Sequence, residues 1–217
     1  MLKLFATKGT ISVAVALVLE EVGAEYELCL IDFATEDQRS QAYLEINSKG
    51  RVPALVTEGG ILTETAAILE YIAPHMLPKD AFACAKHREI SYYLAATMHI
   101  NHAHKLRGYR WADLETSFED MRAKVPQTMA ESCAYVDDVI VGPYIFGAEF
   151  TPADAHLFAI TQWLAGDGVE IQNYPKLAQL QRSLAARPSV ATLAEKGLLC
   201  PIFGFVPKSA RMSNVSA

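Results

Sequence analysis

Val52 and Pro53 are residues whose types and order suit recognition of an extended backbone. They precede the run Ala54-Leu55-Val56, which indicates a β-strand, and proline is tolerated at the start of a strand because that position needs no ladder donor. We predict a cis Val52-Pro53 peptide. In that geometry the Val52 N–H and C=O point outward, where a peptide-like ligand pairs with both as a short added strand.

Glu64 and Thr65 offer charged and hydrogen-bonding groups for the same kind of ligand. The segment after Gly59-Gly60 indicates a helix that begins here, and the first turn of a helix has free N–H groups that bind anions. The Thr65 hydroxyl adds a donor, and the Glu64 carboxylate can pair with an ammonium group. The pattern predicts a site for a zwitterionic peptide, although Pro53 at a sheet edge and Thr63 as a helix cap would also account for it.

The elements that must position these residues form a small α/β unit. The pattern predicts strands over 2–6 and 26–31, helices over 12–23 and 38–47, and a hairpin over 53–57 and 61–63. The order is β-α-β-α-β-β-α, with the first two strands parallel and the last two antiparallel. This order predicts a thioredoxin-like fold.

Strand signals largely stop after residue 80, and helical periodicity follows. Pro74 to Asp80 breaks the periodicity and is the predicted linker. Helices are predicted over 81–111, 118–140 with Pro126 inside it, and 174–187, and Thr151 and Asp154 match a structural capping box. We therefore expect a thioredoxin-like domain over 1–76, an all-helical domain over 81–200 and a tail over 201–217.

Composition excludes several functional classes. The chain has 217 residues, 51% of them hydrophobic, which suffices for one large or two small cores. A net charge of −6 argues against a nucleic-acid partner, since such surfaces are basic. The apolar runs fall short of the roughly 20 residues of a membrane-crossing helix, and the first residues lack a secretory signal pattern. We therefore expect a cytoplasmic protein without a membrane partner.

Cysteine and histidine spacing predicts neither a redox pair nor a metal site. The cysteines lie far apart and form no Cys-x-x-Cys motif, and we interpret them as small buried residues: Cys29, Cys84, Cys133 and Cys200. His99, His102 and His104 are close enough to suggest a metal site. No second cluster of ligands accompanies them, so we expect no metal.

The segment from Lys49 to Ile68 has the form K-G-x-V-P-x-L, a turn, then T-E-[ST]-x-A-I. It resembles the glutathione-binding half of the cytosolic glutathione transferases. The capping box and the preceding Tyr144-Ile145-Phe146-Gly147 fit the same family, so the resemblance covers both domains. It implies a thioredoxin-like domain followed by an all-helical one, with glutathione as co-substrate held by Lys49, Val52, Pro53, Glu64 and Thr65.

The resemblance places thiol activation in the loop after the first strand. Residues 8–14 are similar to the bacterial beta-class pattern P-G-A-C-S-L-A, but Ile11 stands where that pattern has its cysteine. Ser12 is therefore our first catalytic candidate and Thr10 our second, while both also suit a helix cap. One charge-assisted hydrogen bond contributes about 1.5–3 kcal/mol, enough to lower a thiol pKa by about one or two units.

His104 and Lys105 resemble the His-Lys pair that faces the glutathione cleft in beta-class enzymes, although a solvated basic face would have the same residues. An electrophile pocket is expected around residues of the helical part and the tail, namely Tyr109, Trp111 and Phe203 or Phe205.

The leading hypothesis is a homodimeric glutathione transferase that joins the glutathione thiolate to small hydrophobic electrophiles in detoxification. A second hypothesis is a glutathione-dependent disulfide or peroxide reductase. A third is a non-catalytic glutathione-binding protein of the same fold.

Overall fold

The computed structural model describes residues 1–200. The chain forms two compact units: one contains residues 1–72 and, of the described residues, those from Leu184 on, and the other contains residues 73–183. The predicted tail over 201–217, with Phe203 and Phe205, lies outside the described residues. The domain bounds 1–76 and 81–200 stay a prediction.

The first unit contains a four-stranded mixed sheet. Its strands are β1 (Leu2–Ala6), β2 (Tyr26–Leu30), β3 (Ala54–Thr57) and β4 (Gly60–Thr63). The strand order is β2-β1-β3-β4. Strands β1 and β2 are parallel, whereas β3 pairs antiparallel with both β1 and β4. These directions confirm the predicted thioredoxin-like arrangement.

Helices α1 (Ser12–Glu21), α2 (Gln41–Ile46) and α3 (Thr65–Ile72) connect or follow these strands. Every residue of α1 from Ser12 to Leu19 is buried, as its apolar sequence predicts. Gly23 follows the end of the helix, and its φ of 65° lies in the left-handed region. The Ala24 N–H donates to the Leu19 carbonyl at 3.0 Å, which closes a glycine-terminated helix end.

A further helix of this unit, α9 (Pro188–Glu195), packs on α1 and was not predicted from the sequence. Its buried residues Val190 and Leu193 supply the apolar contact surface. Because α1 is apolar all round, it needs cover on more than one side, and α9 provides part of that cover.

The remaining helices are α4 (Ala81–Tyr93), α5 (His99–Arg107), α6 (Glu115–Val139), α7 (Pro152–Thr161) and α8 (Pro175–Ala185). A π-helical turn over Leu94–Met98 joins α4 to α5, so the helix predicted over 81–111 contains this irregularity and ends at Arg107. Pro126 lies inside α6. No helix among residues 1–200 is long and apolar enough to cross a membrane.

The start of α7 confirms the predicted structural role of Asp154. The Asp154 side chain is fully buried. Its Oδ2 accepts hydrogen bonds from the Thr151 N–H at 2.7 Å and the Thr151 hydroxyl at 2.8 Å, and its Oδ1 accepts one from the Ile145 N–H at 2.7 Å. The carboxylate thus ties the helix start to the preceding turn and has no role in the candidate site.

Candidate functional site

The junction between β4 and α3 brings three of the predicted binding residues together. The Lys49 Nζ donates to Glu64 Oε1 at 2.5 Å and to Thr63 Oγ1 at 2.7 Å. Glu64 has a φ of 71°, a left-handed conformation that is uncommon outside glycine and that clusters at functional positions. Thr65 is the first residue of α3, so its N–H is one of the free donors at the helix start.

The Val52-Pro53 peptide is cis, as predicted. Immediately before it, the Arg51 carbonyl accepts two hydrogen bonds of 2.6 Å, one from the Tyr43 hydroxyl and one from Asn47 Nδ2. Because a trans peptide holds its N–H opposite its C=O, the Val52 N–H points away from Tyr43 and Asn47. The direction of this donor is therefore set by two side chains that the sequence analysis did not select.

Burial keeps the phenol of Tyr43, one of the two anchoring side chains, in its donor form. Tyr43 is 3% exposed, and burial raises the pKa of its phenol to about 12. The Asn47 side chain also accepts the Lys49 N–H at 3.2 Å, which closes a short turn before Gly50. The run Asn47-Ser48-Lys49-Gly50 is rich in residues that favour turns, so the sequence contained a clue to Asn47 but none to Tyr43.

Thr10 and Ser12 share one hydrogen-bond network at the start of α1. Their hydroxyl oxygens lie 2.6 Å apart. Ser12 Oγ accepts the Thr7 N–H at 3.1 Å, and the Thr7 carbonyl lies 2.8 Å from Thr10 Oγ1 and 3.2 Å from Ser12 Oγ. Ser12 is fully buried, whereas Thr10 is half-buried. A ligand can therefore reach the Thr10 hydroxyl more readily than that of Ser12.

His104 and Lys105 lie on α5 in the second unit and contact residues of that unit. His104 packs edge-on against Trp111, with ring centroids 4.6 Å apart. The Lys105 ammonium donates to the Gly166 carbonyl and lies 3.4 Å from Oδ1 of the buried Asp167. Their assignment to a glutathione cleft stays a prediction.

Two of the three neighbouring histidines of α5 contact Trp163, whereas His104 contacts Trp111. His102 Nδ1 is 2.7 Å from Asp167 Oδ2, and its ring stacks on Trp163 at 4.1 Å. The His99 ring centroid lies 5.0 Å from the Trp163 ring centroid. Among the described residues, no group of three His, Cys, Asp or Glu side chains is placed to hold a metal ion.

The fold and the site define a class of protein in which a thioredoxin-like unit is combined with a helical unit. Two family models match the chain: the glutathione S-transferase N-terminal domain over residues 1–74 and the glutathione S-transferase C-terminal domain over residues 103–197. Together they cover most of the chain. The chain therefore belongs to the glutathione S-transferase family, a family of transferase enzymes.

Individual relatives agree with this membership. Glutathione S-transferase GST-4.5 of Xanthomonas campestris pv. campestris is 32% identical over 91% of this chain and 100% of its own length. Maleylacetoacetate isomerase of Pseudomonas aeruginosa is 27% identical over 84% of this chain and 90% of its own length.

A solved structure from Sulfitobacter, described as a glutathione transferase homologue with bound glutathione, is 49% identical. It matches with a TM-score of 0.89 over 92% of this chain and 99% of its own. The Sphingomonad glutathione S-transferase, solved in complex with glutathione, is 27% identical with a TM-score of 0.77 over 90% of this chain and 98% of its own.

Proposed function

We propose that this protein binds glutathione in its first unit and transfers the glutathione thiolate to small hydrophobic electrophiles. The observation that carries the proposal is the grouping of Lys49, Glu64 and Thr65 at one strand-helix junction. This junction offers a cation, an anion and free helix N–H groups, which a zwitterionic peptide with two carboxylates requires. Glutathione in the related Sulfitobacter structure supports the same choice of ligand.

In the free protein Lys49 and Glu64 pair with each other, and this pair can open when the ligand binds. The Lys49–Glu64 ion pair is exposed, with 39% and 72% of the two side chains accessible. Exposed pairs of this kind contribute about 0–1 kcal/mol, so their rearrangement costs little. Glu64 then pairs with the ligand ammonium and Lys49 with a carboxylate, while Thr65 binds the second carboxylate through its N–H and hydroxyl.

The backbone of Val52 pairs with the cysteinyl unit of the ligand in this proposal. The Val52 N–H points away from Tyr43 and Asn47, the side chains that hold the Arg51 carbonyl. In this proposal the N–H donates to the main chain of the ligand. A strand-like pairing at this position would hold the thiol-bearing residue by its main chain. The orientation of the thiol then follows from backbone geometry.

We propose Thr10 as the donor that stabilises the thiolate, with Ser12 as the residue that orients it. This reverses the order predicted from the sequence, because Ser12 is fully buried. Ser12 Oγ accepts the Thr7 N–H and can donate its own proton to Thr10 Oγ1, 2.6 Å away. The Thr10 hydroxyl, which donates to the Thr7 carbonyl in the free protein, then turns its proton toward the glutathione sulfur. The positive end of the α1 helix dipole adds to the stabilisation of the negative thiolate.

The test compares Thr10→Val with Ser12→Ala by titrating the ultraviolet absorbance of bound thiolate. Thr10→Val should raise the pKa of the bound thiol by about one to two units, the equivalent of one charge-assisted hydrogen bond. Ser12→Ala should raise it less, since it removes an indirect contribution. A larger effect of Ser12→Ala would restore the sequence-based order, and no effect of either change would assign activation to backbone N–H groups.

Turnover assays separate transfer from the other hypotheses. Conjugation to an aromatic electrophile supports the proposal. Reduction of a mixed disulfide without conjugation would favour the reductase, and glutathione binding without either reaction would favour the non-catalytic protein.

We further propose a cytoplasmic homodimer in which His104 and Lys105 line the glutathione cleft, as the family resemblance implies. Sedimentation at micromolar concentration tests the dimer, and a single monomeric species would contradict it. The similarity to the beta class stays a prediction.

A further inference from the structure

The turn that follows α9 contacts the loop that contains Thr10. The Leu198 carbonyl accepts a hydrogen bond from the Gly9 N–H at 2.9 Å, and Leu198 is fully buried. Gly9 has a φ of 65°, a conformation that glycine adopts without a Cβ penalty. Because Gly9 directly precedes Thr10, this hydrogen bond restrains the backbone that positions the Thr10 hydroxyl.

The start of α9 is anchored to the end of α1. Glu21, the last residue of α1, accepts hydrogen bonds from Arg187 Nε at 2.6 Å and Arg187 Nη2 at 2.5 Å, and a third from the Ser189 hydroxyl. Burial opposes ionisation of Glu21, but these hydrogen bonds hold the pKa of its carboxyl below the ordinary value. A two-pronged arginine-carboxylate pair is directional, so it fixes where α9 begins.

The end of α9 fixes the direction of the Leu198 carbonyl. Gly197 has a φ of 73°, and its N–H donates to the Ala194 carbonyl at 3.0 Å. The Leu198 N–H donates to the Leu193 carbonyl, also at 3.0 Å. These two hydrogen bonds form a glycine-terminated helix end in which the peptide after the glycine has a defined orientation.

We infer that α9 and the turn at Gly197 position the thiol-activating loop through the hydrogen bond between Leu198 and Gly9. The inference rests on the proposed role of Thr10 in thiol activation. Leu198 is a positioning residue, since its carbonyl acts on Thr10 through the backbone of Gly9. The described residues from Leu184 to Cys200 are thereby a functional part of the glutathione-binding unit, although they follow the helical unit in the sequence.

A matched pair of glycine variants tests the inference. Gly197 and Gly23 both end a helix in the left-handed conformation, and an added Cβ would meet no atom within 4 Å at either position. Gly197→Ala and Gly23→Ala should therefore destabilise the fold to a similar extent, but Gly197→Ala alone displaces the Leu198 carbonyl from Gly9. We expect Gly197→Ala to raise the pKa of the bound thiol by about one unit and to lower kcat/KM at neutral pH by about tenfold.

Two further variants sharpen the result. Asparagine tolerates the left-handed conformation, so Gly197→Asn should restore the pH profile of the parent. Arg187→Gln loosens the same segment at its other end and should shift the thiol pKa in the same direction as Gly197→Ala.

Equal pH profiles for Gly197→Ala and Gly23→Ala would overturn the inference. A loss of activity in Gly197→Ala that is the same at every pH, with an unchanged thiol pKa, would also overturn it, because the role would then be structural. A parent protein that does not lower the pKa of the glutathione thiol at all would instead contradict the proposed function.

Discussion

The buried imidazole of His156 on α7 makes the stability of the protein sensitive to acid. His156 is fully buried, and neither ring nitrogen has a hydrogen-bond partner among residues 1–200. Burial, with a smaller contribution from His87, lowers the pKa of His156 from 6.5 to about 4. The folded chain thus holds this imidazole neutral over a range of pH in which the unfolded chain binds a proton.

The size of the effect follows from the two pKa values. Because the unfolded state binds the extra proton, the stability of the fold falls as the pH decreases through 6.5 toward the folded pKa of about 4. Between about pH 7 and about pH 4.5, one such group should lower the free energy of unfolding by about 2–3 kcal/mol. In a chain of this size, that corresponds to a decrease of about 4–12 °C in the unfolding midpoint.

Denaturant unfolding of the parent and His156→Leu at both pH values measures this contribution. The acid-induced loss of stability should be smaller in His156→Leu by about 2–3 kcal/mol, since every other titrating group is present in both proteins. His75→Leu, a change at an exposed position, is the control and should keep the acid-induced loss of the parent. If His156→Leu loses as much stability as the parent, the reasoning is refuted.

Three other changes have expected outcomes. Asn47→Leu removes a donor to the Arg51 carbonyl and should raise KM for glutathione about tenfold with a smaller change in kcat; an unchanged KM in initial-rate assays would separate Asn47 from the site. Lys49→Met should weaken glutathione binding by up to about fivefold, as expected for an exposed charge pair, and calorimetry showing equal affinity would exclude Lys49 as a ligand. Arg187→Gln breaks the pair with Glu21 and should cost about 1–3 kcal/mol in urea unfolding, so an unaltered midpoint would show that α9 is anchored by other contacts.

Features determined by short-range patterns were predictable from the sequence. The succession of strands and helices along the first unit follows from local hydrophobic patterns. The glycine that follows α1 at Gly23 and the capping box of Asp154 depend on residues within one or two helical turns of each other. The family resemblance was also visible, because its motif lies within one hairpin and the helix that follows. Each of these features depends on local periodicity or on backbone conformational preference.

Features that depend on contacts between distant residues were decided by the tertiary structure. The sequence placed Ser12 at the mouth of a helix, but the burial of its hydroxyl depends on what covers α1. The hydrogen bond from the Gly9 N–H to the Leu198 carbonyl, just after α9, joins residues almost a full chain length apart. Such a contact leaves no periodic signal in either segment, because its free energy comes from packing against a surface that exists after the chain has folded.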